Sequence, residues 1–230
     1  MAFKRNQVEE AVWRFLSRDR AGRRPQAVFR TRVKRLLDLD RAAPPEAAPA
    51  SAFAATAPPG RGHEALFAAF DAFCLALGLL LLNAGFKQRE IVDLLRHLRP
   101  ELAQAWRQLE RHPAAPRQRI LAEERPDSPS YPEAGLPLAD TEVYLVLNRV
   151  ETTEVFPDLA PGPDPGSPLV LEPLLVPGGE RLAATLRERA FGFPGHYVVE
   201  LSVMAALLRH YLADAAPRRR GQPGGQPGGG

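Results

Sequence analysis

The tightest constraint on the fold comes from residues 79–102, which read LLLLNAGFKQREIVDLLRHLRPEL. An apolar run ends at Asn83, Gly85 then supplies a left-handed helix stop, and Phe86 forms a wedge between the flanking elements. Apolar side chains then return at the spacing of an amphipathic helix, at Ile91, Val92, Leu95 and Leu98. The stretch predicts two packed helices joined by a turn, which occur both in DNA-binding domains and in helical bundles.

The first forty residues predict two more helices. One begins at Asn6, whose side chain can cap it, with Glu9 as the capping-box partner. The second follows Pro25, and its stop precedes the proline- and alanine-rich segment that starts at residue 42. Its predicted buried face comprises Phe29, Val33, Leu36 and Leu37.

Residues 64–112 complete a helical half. Residues 64–83 form the apolar helix and residues 87–99 the amphipathic one. Pro100 fits the first position of a further helix, because a residue at that position needs no N–H group for the helical hydrogen bonds and proline has none. We therefore expect residues 1–112 to be all helix.

The second half of the chain has a different pattern. Residues 142–150 and 168–176 are β-branched or apolar runs of strand length, and Pro173 confines the second to an edge or splits it. A helix is expected at 180–189. Residues 196–215 form either one helix or, preferably, a strand at Tyr197–Leu201 and then a helix capped by Ser202. These elements predict a small α+β unit of three strands and two helices.

Proline and glycine divide the chain, since the 24 prolines and 18 glycines cluster between the periodic segments. The predicted fold class is α+β, with an N-terminal all-helical domain, a small α+β domain and a disordered tail. The predicted divisions are a basic helical pair at 1–41, a linker at 42–59, a helical continuation at 60–112, a second linker at 113–137, an acidic α+β domain at 138–216 and an Arg/Gly/Pro tail at 217–230.

Charge is distributed unevenly, although the net charge is only +3. Residues 1–125 contain 22 Lys and Arg against 14 Asp and Glu, whereas residues 126–216 contain 5 against 13. A basic half joined to an acidic half is typical of a polyanion-binding module attached to a domain that does not bind polyanions. It is also compatible with the two halves docking on each other.

The second helix concentrates this positive charge on its exposed side. Successive helical residues advance by about 100°, so the cations fall on a broad arc opposite the apolar face. The candidate phosphate-contacting residues on this arc are Arg30, Thr31, Arg32, Lys34 and Arg35. The alternative interpretation is a solvated helix face, in which arginine is also common.

The order of these elements resembles the second half of the MerR-like DNA-binding domain, a winged-helix fold. The matching residues are Gly60, Arg61 and Gly62, the helix ending at Asn83, and then Gly85, Phe86, Glu90, Ile91, Leu94 and Leu95. The resemblance implies that residues 26–41 are the recognition helix and residues 60–64 the wing, with Arg61 as a further DNA contact. It also implies a bacterial-type helix-turn-helix transcriptional regulator that binds duplex DNA.

No catalytic or metal-binding motif is predicted. The five histidines are scattered, and the single cysteine, Cys74, lies in an apolar run where a buried, inert thiol is expected. Glu151 and Glu154 are the nearest approach to paired carboxylates, but no acid–base partner in a distinct environment accompanies them. We expect neither an enzyme nor a cofactor or metal.

Membrane association is not expected either. The longest apolar run, Ala72–Leu82, is shorter than the roughly 20 residues that a membrane-spanning helix needs. The first ten residues place acidic and polar side chains where a signal peptide would have its apolar region. We therefore expect a cytoplasmic protein.

These patterns lead to two functional hypotheses. The first is a MerR-like transcriptional regulator whose C-terminal domain dimerises or senses a ligand of unknown identity, because two half-sites are the usual route to specificity. The second is a noncatalytic interaction or scaffold protein whose arginine-rich face docks on an acidic surface, including that of its own C-terminal half.

Overall fold

A computed structural model describes residues 1–17, 24–42, 51–54, 65–111, 142–150, 169–189 and 195–215. The fold is α+β and mostly helical, as predicted. The elements of the first half are β1 (Ala2–Lys4), α1 (Arg5–Ser17), α2 (Ala27–Ala42), β2 (Leu66–Ala68), α3 (Ala69–Asn83) and α4 (Gln88–Arg111). None of the described helices is both long and apolar enough to cross a membrane.

The second half contains the three strands and two helices expected from the sequence. They are β3 (Val143–Val150), β4 (Leu169–Pro177), α5 (Gly179–Arg189), β5 (His196–Glu200) and α6 (Leu201–Asp214). The predicted cap at Ser202 is wrong, because Ser202 lies inside α6 and its Oγ accepts a 2.7 Å hydrogen bond from the Val143 N–H. The hydroxyl therefore joins α6 to β3.

The predicted helical hairpin is present as α3 and α4. Gly85 has φ 90, the left-handed conformation that favours glycine. The N–H groups of Ala84 and Phe86 donate to the Leu80 and Leu81 carbonyls at 3.0 and 3.1 Å. These bonds satisfy the last carbonyls of α3, and the buried Phe86 ring follows directly.

Pro100 does not begin a new helix, contrary to the prediction. It lies inside α4, which is one helix of 24 residues. Proline costs a helix one backbone hydrogen bond, but the side chains on both sides of it continue the same buried face, through Leu98, Leu102 and Trp106. Packing of this face against α3 outweighs the local cost, and Pro100 itself is exposed.

Residues 1–112 are not all helical either. Ala2–Lys4 pairs antiparallel with Leu66–Ala68, with Phe3 opposite Phe67 and both rings buried. Helix α1 consequently begins at Arg5, and its first turn is capped differently from the prediction. The Lys4 N–H donates to Gln7 Oε1 at 3.0 Å, whereas Asn6 is already helical.

The larger sheet has the antiparallel order β4–β3–β5 and separates two apolar layers. Leu145 and Leu147 of β3 face the main core, whereas Tyr144 and Val146 face the opposite side. On that side α5 covers the sheet with Leu182 and Leu186.

One hydrophobic core contains side chains from both halves of the sequence, from Phe3 to Leu212. Gln7 Nε2 of α1 donates to the Ala215 carbonyl at 2.7 Å, and the Arg14 guanidinium lies 4.6 Å from the centre of the Tyr211 ring. Helix α6 thus packs on α1. The predicted domain divisions stay predictions, because most of the linkers and the tail fall outside the described residues.

Candidate nucleic-acid interface

Helix α2 buries its apolar face and exposes its cations. Phe29, Val33 and Leu36 are buried, as expected from their spacing, and the Phe29 ring meets Trp13 of α1 edge-on at a centroid distance of 5.2 Å. These contacts fix the rotation of α2 about its own axis. All five predicted contact residues in α2 are exposed: Arg30, Thr31, Arg32, Lys34 and Arg35.

The five residues differ in their partners. Arg30 Nε lies 3.9 Å from Oε2 of Glu9, a carboxylate that also accepts a 2.8 Å bond from Arg5. Thr31 Oγ1 donates to the Ala27 carbonyl at 3.0 Å, which occupies its hydroxyl hydrogen. Arg30 is therefore partly neutralised, and Thr31 retains only acceptor capacity.

The remaining cations retain their charge. Arg32 Nη1 donates to Asn83 Oδ1 at 3.3 Å, and an amide does not neutralise a guanidinium. Within the described part of the chain, no carboxylate makes an ion pair with Lys34 or Arg35. Arg32, Lys34 and Arg35 thus form the part of the predicted surface best suited to bind anions. The sixth predicted residue, Arg61, lies outside the described residues, as does the rest of the predicted wing.

The bond to Asn83 extends this surface beyond α2. It connects the middle of α2 to the last residue of α3, and the turn that follows leads to Lys87 and Arg89, which are both exposed. Sequence reasoning missed these two cations, because periodicity places them on α4 without showing which end of α4 approaches α2. A basic α2 next to a basic turn is a broader anion-binding surface than one helix provides.

A buried ion pair holds the end of α2 that lies farther from this turn. Asp40 and Arg96 of α4 expose only 4% and 7% of their side chains, and Arg96 Nε donates to Asp40 Oδ1 at 2.8 Å. Arg96 Nη2 also donates to the Asp40 carbonyl. Two arginine bonds to the same residue fix α2 against α4.

The Asp40 carboxylate also holds a short segment, Ser51–Ala54. Its oxygens accept hydrogen bonds from the Ser51 hydroxyl, the Ala52 N–H at 2.9 Å and the Phe53 N–H at 3.2 Å. The Phe53 side chain is fully buried. It packs beside Gly78, where an added Cβ would lie 3.0 Å from Phe53 Cε1.

A second buried pair holds the same segment from the other side. Arg99 Nη1 donates to the Ala52 carbonyl at 2.7 Å, and Arg99 Nη2 donates to Asp71 Oδ1. Asp71 in turn accepts a 2.8 Å bond from the Ala68 N–H, which caps α3. Two buried arginines and two buried carboxylates therefore join α2, α3, α4 and the segment.

This network was not predicted. The available signal was the placement of Arg96 and Arg99, since residues next to Leu95 and Leu98 lie at the margin of the buried face of α4. Arginine is rarely buried without a partner, so such positions demand carboxylates. No pattern in the sequence identifies Asp40 and Asp71 as those partners.

Cys74 lies fully buried near these charges. Burial raises the pKa of its thiol to about 12, with Arg99 opposing and Asp71 and Asp40 reinforcing the shift. The thiolate is the nucleophile, so the native protein is expected to react with a thiol-specific disulfide reagent at neutral pH at least 100-fold more slowly than the urea-unfolded chain. Absorbance of the released thiol measures both rates, and comparable rates would contradict the burial of Cys74.

Several polar side chains in the second half hydrogen-bond to one another. Glu142 accepts a hydrogen bond from the Tyr144 hydroxyl, and Asn148 Oδ1 is bonded to His196 Nδ1. In the described ranges, no three His, Cys, Asp or Glu side chains are grouped so as to hold a metal ion. Glu151 and Glu154, the nearest approach to paired carboxylates in the sequence, lie outside these ranges.

No protein-family model, curated protein or solved structure matches this chain. The arguments for function consequently rest on the geometry described above.

Proposed function

We propose that the chain binds duplex DNA through the exposed side of α2 and acts as a MerR-like, helix-turn-helix transcriptional regulator. The observation that carries the proposal is the set of exposed cations Arg32, Lys34 and Arg35, which have no carboxylate partner among the described residues. In this proposal the second half of the chain supplies dimerisation or ligand sensing.

Packing of the second half supports this function over internal docking. Helix α6 packs against α1, α3 and α4, and β4 lies against α4. The basic side of α2 remains exposed. The described acidic residues of the second half therefore leave the cations of α2 accessible.

The dimensions of α2 suit a DNA groove. Its 16 residues span about 24 Å, and the major groove of B-DNA, about 12 Å wide, admits one helix. Arg32 and Arg35 lie one helical turn apart. Viewed along the axis of α2, they are rotated by about 140–200° from Arg30, and Lys34 lies on the opposite flank of the cationic arc. Cations on both flanks are suited to contact the phosphates on the two sides of the groove.

The resemblance to the MerR-like domain supports the same surface. It implies that residues 26–41 are the recognition helix and residues 60–64 the wing, with Arg61 as a contact. The turn at Gly85 and Phe86, which carries part of the resemblance, lies between α3 and α4. The winged arrangement itself is part of the proposal.

A second candidate function is binding to an acidic protein surface. Val28 and Leu39 are 63% and 36% exposed, and they continue the row of Arg32 and Arg35 along α2. An exposed row that is apolar at its ends and cationic in its middle is also suited to a protein partner. The two functions differ in whether the chain binds duplex DNA and in how steeply that binding weakens with salt.

The test is fluorescence anisotropy of labelled mixed-sequence duplex DNA, titrated with the full chain at roughly 50 and 200 mM salt. We expect micromolar binding that weakens steeply at the higher salt. Replacing Arg32, Lys34 and Arg35 together with alanine removes three phosphate contacts, which lowers the slope of log K against log salt by about 2.7.

A charge-matched control distinguishes the site from net charge. Arg107, Arg111 and Arg187 are exposed in α4 and α5, and replacing them with alanine removes the same three charges. This control is expected to retain the slope of the unmodified chain. No binding at the lower salt, or equal effects of the two triple variants, would refute the proposed interface.

A further inference from the structure

The two edges of the larger sheet differ. Pro173 and Pro177 lie in the edge strand β4, and the pairing of β4 with β3 shifts register between Val146 and Asn148. Proline and bulges are the devices that prevent an edge from pairing with another strand. The other edge strand, β5, contains no proline and pairs with β3 in regular register over all five of its residues.

Strand β5 is also accessible. Only Val199 is buried in it, and Val198 is 37% exposed. In the described part of the chain β5 pairs with β3 alone, which leaves its second edge without a strand partner. Such an edge presents N–H and C=O groups that a further strand can bind.

The sequence of β5, His-Tyr-Val-Val-Glu, complements itself. When two copies run antiparallel about a two-fold axis at Val198, His196 lies opposite Glu200 of the partner subunit. Tyr197 then lies opposite Val199 of the partner subunit, and the exposed Val198 meets its symmetry mate. An imidazole at one end of each strand thus faces a carboxylate, with apolar pairs between them.

We propose that β5 pairs with β5 of a second copy of this chain, joining two three-stranded sheets into one of six strands. Asn148 Oδ1 lies 2.5 Å from His196 Nδ1 and orients the ring, whereas His196 Nε2 is buried without a hydrogen-bond partner among the described residues. The paired edges are the same surface on both copies, so the contact closes as a dimer without further growth.

The role of this dimer rests on the proposed function, because two subunits would present two copies of α2 to DNA. Pairing itself needs no DNA. Self-association and DNA binding are therefore measured separately, and each proposal can fail without the other.

The first experiment is sedimentation equilibrium of the full chain across roughly 1–100 μM, a range that includes the affinities of ordinary protein dimers. We expect a species of twice the monomer mass. Val198→Lys places two ammonium groups at the two-fold axis, and it is expected to weaken self-association at least 10-fold. Val28→Lys adds the same charge at another exposed valine and is expected to leave the dimer intact.

A cross-link tests the register. Opposite residues in antiparallel strands have Cα atoms about 4.5–5.5 Å apart, within the range that a disulfide bridges. The Val198→Cys chain is expected to form a disulfide-linked dimer on oxidation. The introduced cysteines form this bond, because Cys74 is buried and unreactive. Val28→Cys is the control, and it is expected to form at least 10-fold less cross-linked dimer.

Three results would overturn the proposal. One is a monomeric unmodified chain throughout the concentration range. Another is a dimer that survives Val198→Lys, which would place the interface elsewhere on this chain. The third is equal cross-linking at positions 198 and 28, which indicates random collision. Failure of DNA binding by an intact β5 dimer would refute the proposed function alone.

Discussion

Replacing Asp40 with alanine is expected to lower the free energy of unfolding by about 3–5 kcal/mol, the usual cost of removing one partner of a buried ion pair. Arg96, only 7% exposed, would retain its charge without its carboxylate. The N–H groups of Ala52 and Phe53 would lose their carboxylate acceptor at the same time, which leaves the Phe53 N–H only its 3.4 Å bond to Ser51 Oγ. Several buried polar groups therefore become unsatisfied through one substitution.

Urea denaturation followed by circular dichroism measures this effect. The matched control is Asp38→Ala, two residues away on the same helix, where the carboxylate is 48% exposed and pairs with Arg41 at 3.2 Å. Exposed pairs contribute about 0–1 kcal/mol, so the control is expected to remain near the unmodified chain. Equal effects of the two substitutions would contradict the buried network.

Phe53→Ala is expected to destabilise the protein by about 3–5 kcal/mol, as large-to-small changes of buried aromatic residues do. The ring is fully buried, although it belongs to a four-residue segment with no helix or strand. Val28→Ala, at a 63% exposed valine, is the control and is expected to change stability by less than about 0.5 kcal/mol.

Gly78 provides a second test of the Phe53 position. Its added Cβ would lie 3.0 Å from Phe53 Cε1, so Gly78→Ala is expected to be unfavourable in the unmodified chain. In the Phe53→Ala chain that contact is absent, although Ile91 Cγ2 and Leu95 Cδ1 still lie 3.3 Å from the added Cβ. Alanine is intrinsically better than glycine in a helix by about 1 kcal/mol, so we expect Gly78→Ala to cost less stability in the Phe53→Ala chain than in the unmodified chain. Additive effects of the two substitutions would show that the Phe53 ring does not contact position 78.

Periodic side-chain patterns account for most of the helices and strands that the sequence predicted correctly. Helix α2 was expected at 26–41 and occurs at Ala27–Ala42, because Phe29, Val33 and Leu36 repeat at helical spacing. Patterns of this kind depend only on neighbours in the chain. Where a long-range contact decides the structure, the local pattern predicts it wrongly, as at Pro100 and in the three-residue pairing of β1 with β2.

The exposed residues of the candidate site could be predicted from the sequence, but their partners on other elements could not. The helical period places Arg32, Lys34 and Arg35 on the exposed side, since it places the apolar residues on the other. The charge of Arg30 is partly neutralised by Glu9, which lies in a different helix, α1. The four residues Ser51–Ala54 lie in a segment rich in proline and alanine, where no repeat indicates burial. Their role depends on Arg99, which lies 47 positions after Ala52 in the chain.

The contact of α6 with α1 determines when the protein can finish folding during its synthesis. Gln7 and Ala215, which share a hydrogen bond, are 208 residues apart. At typical translation rates the ribosome needs roughly 10–40 s to cover that distance. For that period α1 lacks the helix that packs on it, and from residue 83 onward so does the apolar α3. Completion of the fold therefore depends on slow, long-range closure. Chains released before residue 215 are therefore expected to be substrates for chaperones and proteases.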